Sequence, residues 1–381
     1  GLKPMAAEFD WPRWVPSLAV SFAYIGTGYG GVAMGWWADR IGAMWPALLD
    51  SLMVGFGLLA ASGSHDMWQL YWSHGILIGL LGNAGTFTHL MSNVTRWFDR
   101  RMGVALALVA SGQSIAGAIW ARLFEYSIGK IGWRETMTWF ALFCIATMVP
   151  LSLLLRRTPP VPTLRTVSND PRRGAPVLGL PAGLVLAMLS LAIVGCCVAM
   201  AMPMVHTVAY CSDLGYSAAR GSEMLALLLA SAFVSRLFWG RLSDRIGGLR
   251  TILIGSACQF LALSLYLVVN GEIGLSILSG GFGMAFGGIV PAYALAARAL
   301  FPANEAGWRI GTIYLFGTLG MALGGWLGGY VYDLMASYRP AFAVGLLFNL
   351  LNLLLIGILV LRRAHPRLDP LNVLPTPAAV P

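Results

Sequence analysis

Arg236 stands in the run ASAFVSRLFWG, a guanidinium among apolar residues. An arginine at bilayer depth costs roughly 2.5–3.5 kcal/mol on insertion scales, so it normally faces a cavity or a partner. Its planar fork can grip a carboxylate with two parallel hydrogen bonds. Residue type and setting therefore point to anion binding, with a structural pair to a nearby acid or carbonyl as the alternative. His206 follows Pro203 by three residues, near one end of its apolar run. A proline in such a helix is tolerated where the helix lines a cavity, and an imidazole titrates near neutral pH. His206 could hydrogen-bond an anion, carry a proton, or be a solvated helix-end histidine. Asp50, in WPALLDSLMVG, is the one carboxylate inside an apolar run and reads as a gating group, paired with Arg40 or with another helix. Asn83, Thr86, Gln113 and Tyr293 are weaker candidates for lining a cavity, because polar residues at such positions also serve helix packing. His74 and His89 read as interior or interface histidines.

A second set of residues is repeated. Residues 35–42 read GWWADRIG and residues 240–247 read GRLSDRIG, each at the end of an apolar run. Gly35, Asp39, Arg40 and Gly42 recur as Gly240, Asp244, Arg245 and Gly247. The first copy is followed by Ala43 and Met44, whereas the second is followed three residues on by Arg250.

The elements that carry these residues follow from composition. Of 381 residues, 57% are hydrophobic and 11% charged, against about 25% charged in a soluble domain. So few charges cannot cover a water-exposed surface, and much of the outside must face lipid. One span needs about 20 predominantly apolar residues. Eleven such runs are expected, at 15–37, 44–62, 67–94, 104–127, 136–155, 181–208, 221–239, 251–270, 274–297, 309–333 and 339–361. The fold class is all-α polytopic membrane protein. A β-barrel is excluded, since barrels need alternation in segments of about ten residues.

Net charge is +9. No basic cluster has interleaved aromatics or a docking fold, so nucleic acid is not an expected partner. Seventeen of the 25 Lys and Arg residues fall on the side of the two Asp-Arg loops, which assigns that side to the cytoplasm and the chain to the plasma (inner) membrane. The five cysteines show no metal-ligand spacing and no disulfide framework. No nucleophile–base set, metal cluster or phosphate loop is present, so neither an enzyme nor a cofactor is expected. The glycine-rich runs follow no strand and serve close helix approach rather than dinucleotide binding. Residues 156–180, Pro-rich and basic, read as a cytoplasmic linker between helical bundles at 1–155 and 181–363, and 364–381 as a disordered tail.

The two Asp-Arg motifs lie 205 residues apart. Two spans precede the second motif and one precedes the first, so a duplicated chain is expected to carry one more helix before residue 1. Eleven of twelve helices then form two six-helix halves, a pattern of secondary transporters. With these features the chain resembles the major facilitator superfamily, whose loop motif is G-x-x-x-D-R-x-G. Residues 96–117, RWFDRRMGVALALVASGQSIAG, resemble the monocarboxylate porters and oxalate:formate antiporters, as do EFDWPRW at 8–14, VHTVAYCSDLGYS at 205–217 and GGWLGGYVYDLMASYRPAF at 324–342. The resemblance implies alternating access with the Asp-Arg loops as a cytoplasmic latch. It also implies a small organic anion, a monocarboxylate, held by Arg236 with help from His206. In those porters an acid concerned with a coupled proton stands one turn before the arginine; here that position is Ala232. Two alternatives stay open: a superfamily transporter of a non-carboxylate solute or drug, and a truncated, non-transporting remnant or sensor.

Overall fold

The computed structural model describes residues 14–83, 90–91, 93–95, 97–98, 101–156, 177–302 and 305–364. Backbone that meets hydrocarbon must bond within its own element, which leaves helices as the way across for an open chain. Among the described residues the regular elements are helical, apart from one antiparallel bridge between Val177 and Leu180. They are α1 (Trp14–Ile41), α2 (Met44–Ser62), α3 (Met67–Trp72) running on as a π-helical stretch (Ser73–Asn83), and α4 (Met102–Leu154). Then follow α5 (Ala182–Asp213), α6 (Ala218–Ile246), α7 (Gly248–Leu265), α8 (Glu272–Phe286), α9 (Ile289–Leu300), α10 (Ala306–Met335) and α11 (Tyr338–Ala364).

The all-α reading holds, and the boundaries differ in instructive places. The fourth and fifth expected spans are both present in α4, as two helices that join without a loop at a kink at Gly132, where φ is 81°. No proline separates them, so helix continues up to the glycine that can take the left-handed backbone value. The ninth expected span is divided into α8 and α9 around Gly287 and Gly288, just before Pro291. Proline offers no N–H to the preceding turn. The linker assigned to 156–180 lies outside the described residues from 157 to 176, and the tail from 365 onward does so too.

Eight of the described helical segments are long and apolar enough to cross a membrane. Among the segments below that threshold are α1, rich in Gly, and α3 with its π-helical continuation. Large apolar side chains point outward along the bundle: Ile277 is 70% exposed and Leu347 68%. Exposure on that scale belongs against lipid, not water.

The first half packs α2 on α4 and on the π-helical stretch, which also lies against α1. Arg134 of α4 donates to the carbonyls of Ser62 (2.5 Å) and Ser64 (2.8 Å), closing the end of α2 where its last carbonyls have no intrahelical donor. In the second half, α5 is the central element and packs on α10, α11 and α6. The halves meet along two main seams, α1 with α10 and α4 with α6.

The interior of the second half holds a polar network that joins α5, α7, α9 and α11. Tyr293 Oη donates to Asn352 Oδ1 at 2.9 Å, and Asn352 Nδ2 donates to Ser256 Oγ at 2.7 Å. Asn349 Nδ2 donates to the Ser256 carbonyl and Gln259 Nε2 to the Cys196 carbonyl, each at 3.2 Å. All five side chains that form it are fully buried. Asn352→Leu would orphan groups on both neighbours at about 1–3 kcal/mol each. The purified variant should therefore melt below the wild type in detergent; an equal melting temperature would mean the network contributes nothing to stability.

Candidate functional site

Each Asp-Arg motif closes one seam. Asp39, in the last turn of α1, accepts hydrogen bonds from the N–H groups of Gly307 and Trp308, both at 3.1 Å. These lie in the first turn of α10, in the other half. Asp244, in the last turn of α6, accepts from the N–H groups of Gly103 (2.5 Å) and Val104 (3.2 Å) in the first turn of α4. The arrangement is crossed: each half sends one carboxylate to the start of a helix in the other. First-turn N–H groups have no intrahelical acceptor, and the helix dipole makes that end partly positive. A carboxylate seated there stabilises the contact by about 0.3–1 kcal/mol when exposed, and up to ~2 kcal/mol when partly buried.

Glycine makes the reach short enough. A Cβ added to Gly35 would stand 2.5 Å from the Gly307 carbonyl oxygen, and one added to Gly240 would stand 2.7 Å from that of Gly103. The closing glycines, Gly42 and Gly247, take φ of 89° and 84° and turn the chain sharply into α2 and α7. The motif arginines do not cross the seams. Arg40 lies over the ring of Trp36 in its own helix at 3.8 Å. Arg245 is exposed and makes no hydrogen bond or ion pair among the described residues.

Arg236 lies on the same α4–α6 seam, one turn into α6 from Gly240. Its Nη1 donates to the carbonyl of Ala110 on α4, across the two halves. Its Nε is buried with no hydrogen-bond partner, and no acid pairs with it among the described residues. A half-buried guanidinium with an unfilled donor is the chemistry that accepts an anionic oxygen.

The other candidates are dispersed. His206 is buried in α5, its Nε2 3.0 Å from the Gly325 carbonyl of α10, its ring 5.1 Å from that of Tyr338. No hydrogen bond or ring contact joins it to Arg236 among the described residues. The Tyr293 hydroxyl is engaged by Asn352. Asp50 is buried within α2. Asn83 ends the π-helical stretch and Gln113 lies in α4, but their side chains, and the whole of Thr86 and His89, are outside the described residues.

One buried charge was not among the sequence candidates. Arg309, the first residue of the expected span 309–333, is 8% exposed in the first turns of α10, beside the N–H groups that Asp39 holds. Its Nε and Nη2 donate to Glu305 at 3.0 and 2.5 Å, and its guanidinium lies 4.2 Å from the Phe301 ring and 4.8 Å from the Trp308 ring. The signal was the four-residue spacing of Glu305 and Arg309, which places both on one helix face.

Comparison with known proteins bears on this geometry. The family model of the Major Facilitator Superfamily matches residues 1–307 and 187–379. The chain is 26% identical over 328 residues to the MFS-type transporter pynF of Aspergillus niger, covering 83% of this chain and 71% of that protein. It is 26% identical over 350 residues to monocarboxylate transporter 13 of Bos taurus, covering 89% and 78%. Among solved structures, the fucose:proton symporter FucP of E. coli superposes with a TM-score of 0.71 at 13% identity, covering 93% of each chain.

The crossed carboxylates make a direct prediction. Asp39→Asn combined with Asp244→Asn weakens both seams on one face only. A cysteine placed between the halves near that face should react several-fold faster with a thiol reagent applied from that side than in the wild-type background. An unchanged rate would show that the carboxylates do not hold the face closed.

Proposed function

The chain belongs to the Major Facilitator Superfamily, and from that premise we propose that this transporter moves a small organic anion, a monocarboxylate, by alternating access. The observation that carries the reading is the unpaired Nε of Arg236 on the seam between the halves. A carboxylate would take Nε and one terminal nitrogen of the fork, the side-on bidentate geometry available to arginine. The other terminal nitrogen, Nη1, stays on the Ala110 carbonyl and ties the bound anion to the seam between the halves. His206 enters as a second polar group of the C-terminal half; its Nε2 meets the Gly325 carbonyl, which leaves Nδ1 to face an anion or a proton. A coupled proton, if one accompanies the anion, would be carried away from Arg236, since the preceding turn offers Ala232. The likeness to monocarboxylate transporter 13 supports the substrate class; the likeness to pynF supports only a transporter.

The test is uptake into proteoliposomes, with radiolabelled L-lactate as the monocarboxylate probe. Truncating one partner of a buried, hydrogen-bonded charge pair costs about 2–5 kcal/mol, so Arg236→Gln should lower uptake by at least ~30-fold. The variant should elute as the wild type does in size-exclusion chromatography, and Arg236→Lys should retain part of the activity. Carboxylates should compete with the probe and the matching amides should not. Unchanged uptake by Arg236→Gln would remove the assignment. Competition by amides and carboxylates alike would favour a transporter of a non-carboxylate solute.

A further inference from the structure

On the face that carries both Asp-Arg loops lies a cavity of 220 Å³ that none of the preceding chemistry uses. It is enclosed by the end of α6, the start of α7 and the last turns of α11, with Ile246, Leu249, Arg250, Val360 and Arg363 as its lining. Arg363 reaches across the α6–α7 turn: its Nη1 would stand 3.9 Å from a Cβ built on Gly247. Both lining arginines are exposed, and neither makes a hydrogen bond or ion pair among the described residues. Two guanidiniums lining one small cavity without a counter-charge repel one another, and an anion between them removes that repulsion. The start of α7 adds to the positive potential, since its N-cap is Gly247 and no side chain caps it.

The position of the cavity identifies the anion. The apolar stretch of α7 begins at Gly248 and that of α11 ends at Arg363. The two arginines therefore stand at the border between hydrocarbon and water. The remaining lining is apolar, and about one turn deeper in α7 and α11 stand Ile254 and Ile358, each 44% exposed. A charged rim above an apolar wall fits a headgroup with its acyl chains below it. A free ion would leave that wall uncovered, and the cavity is too small for a peptide segment. Basic pockets between helices on the positive face of a membrane protein are a known form of acidic-headgroup site.

We propose that this cavity binds the phosphate of an anionic phospholipid, with Arg250 and Arg363 as its ligands, tying the α6–α7 turn to the end of α11. The inference does not depend on which solute is carried.

Native mass spectrometry of the full chain, released from detergent after titration with dioleoyl-phosphatidylglycerol or dioleoyl-phosphatidylcholine, tests it. The wild type should retain one phosphatidylglycerol in preference to phosphatidylcholine. Arg250→Gln with Arg363→Gln should lower the phosphatidylglycerol-bound fraction at least fivefold, to the phosphatidylcholine level. Arg250→Lys with Arg363→Lys should keep most of it. Arg156→Gln, an exposed arginine outside the lining, should change nothing. A matching melting temperature in phosphatidylcholine micelles certifies the fold of the double variant; if it falls, the single glutamine variants decide, each losing part of the retention. Equal retention by wild type and the glutamine variants overturns the proposal. So does an equal loss in Arg156→Gln, which would mean general surface charge. Inorganic phosphate that displaces the lipid at equal concentration overturns the lipid as ligand and leaves a free-phosphate site.

Discussion

Two carboxylates, each seated on the first turn of a helix from the opposite half, set the terms for this protein. Asp39 holds the start of α10 and Asp244 the start of α4. Neither contact could form unless the backbones approached as closely as Gly35 and Gly307, or Gly103 and Gly240, allow. The acceptor is a side chain and the donors are backbone, which has a consequence for specificity. Nothing about the donor positions needs a particular side chain, so Trp308 and Val104 serve equally well. A carboxylate on a helix terminus is also a modest contact, on the order of 1 kcal/mol. Two such contacts bias an equilibrium between closed and open faces without fixing it, as a transporter that must reopen requires.

The same chemistry decides what could be read in advance. The apolar runs gave their helices away because lipid demands about 20 such residues in a row. The repeated Gly-x-x-x-Asp was visible because the demanding side of each latch lies in those residues. The receiving side was not visible, since any residue has a backbone N–H. The arginines of the motif drew attention by their charge, yet Arg40 rests on Trp36 and Arg245 reaches no partner among the described residues. Local spacing could not say which member of the pair crosses the seam, because that depends on a helix some 270 residues away in the chain for Asp39.

Helix ends and buried polar groups were harder. The expected loop after residue 127 is helix, because a single Gly132 absorbs the whole change of direction. Arg309 is a charge at the edge of the expected span 309–333; its burial follows from Glu305 and the rings of Phe301 and Trp308, which surround it only after α10 forms. Tyr293 stood out as a polar residue after a proline, but Asn352, its hydrogen-bond partner, sits in an otherwise leucine-rich run and gave no sign of its role. Buried polar pairs are set by helix rotation and register, which apolar periodicity leaves free when a helix is apolar all round.

The duplication also shows where the two seams differ. With Gly35 matched to Gly240, Arg236 corresponds to Gly31 in the first half. On the α1–α10 seam a Cβ at Gly311 would stand 2.7 Å from the Gly31 carbonyl oxygen, so that seam is closed by backbone against backbone. On the α4–α6 seam the equivalent place holds a guanidinium that reaches the Ala110 carbonyl and leaves a buried donor unfilled. The first seam has no side chain there with which to recognise a solute. The second has one, whose buried Nε is an unfilled donor while Nη1 rests on the Ala110 carbonyl. If Arg236 holds the solute as proposed, binding acts on the seam that Asp244 latches, and a near-symmetric frame is opened by an asymmetric event.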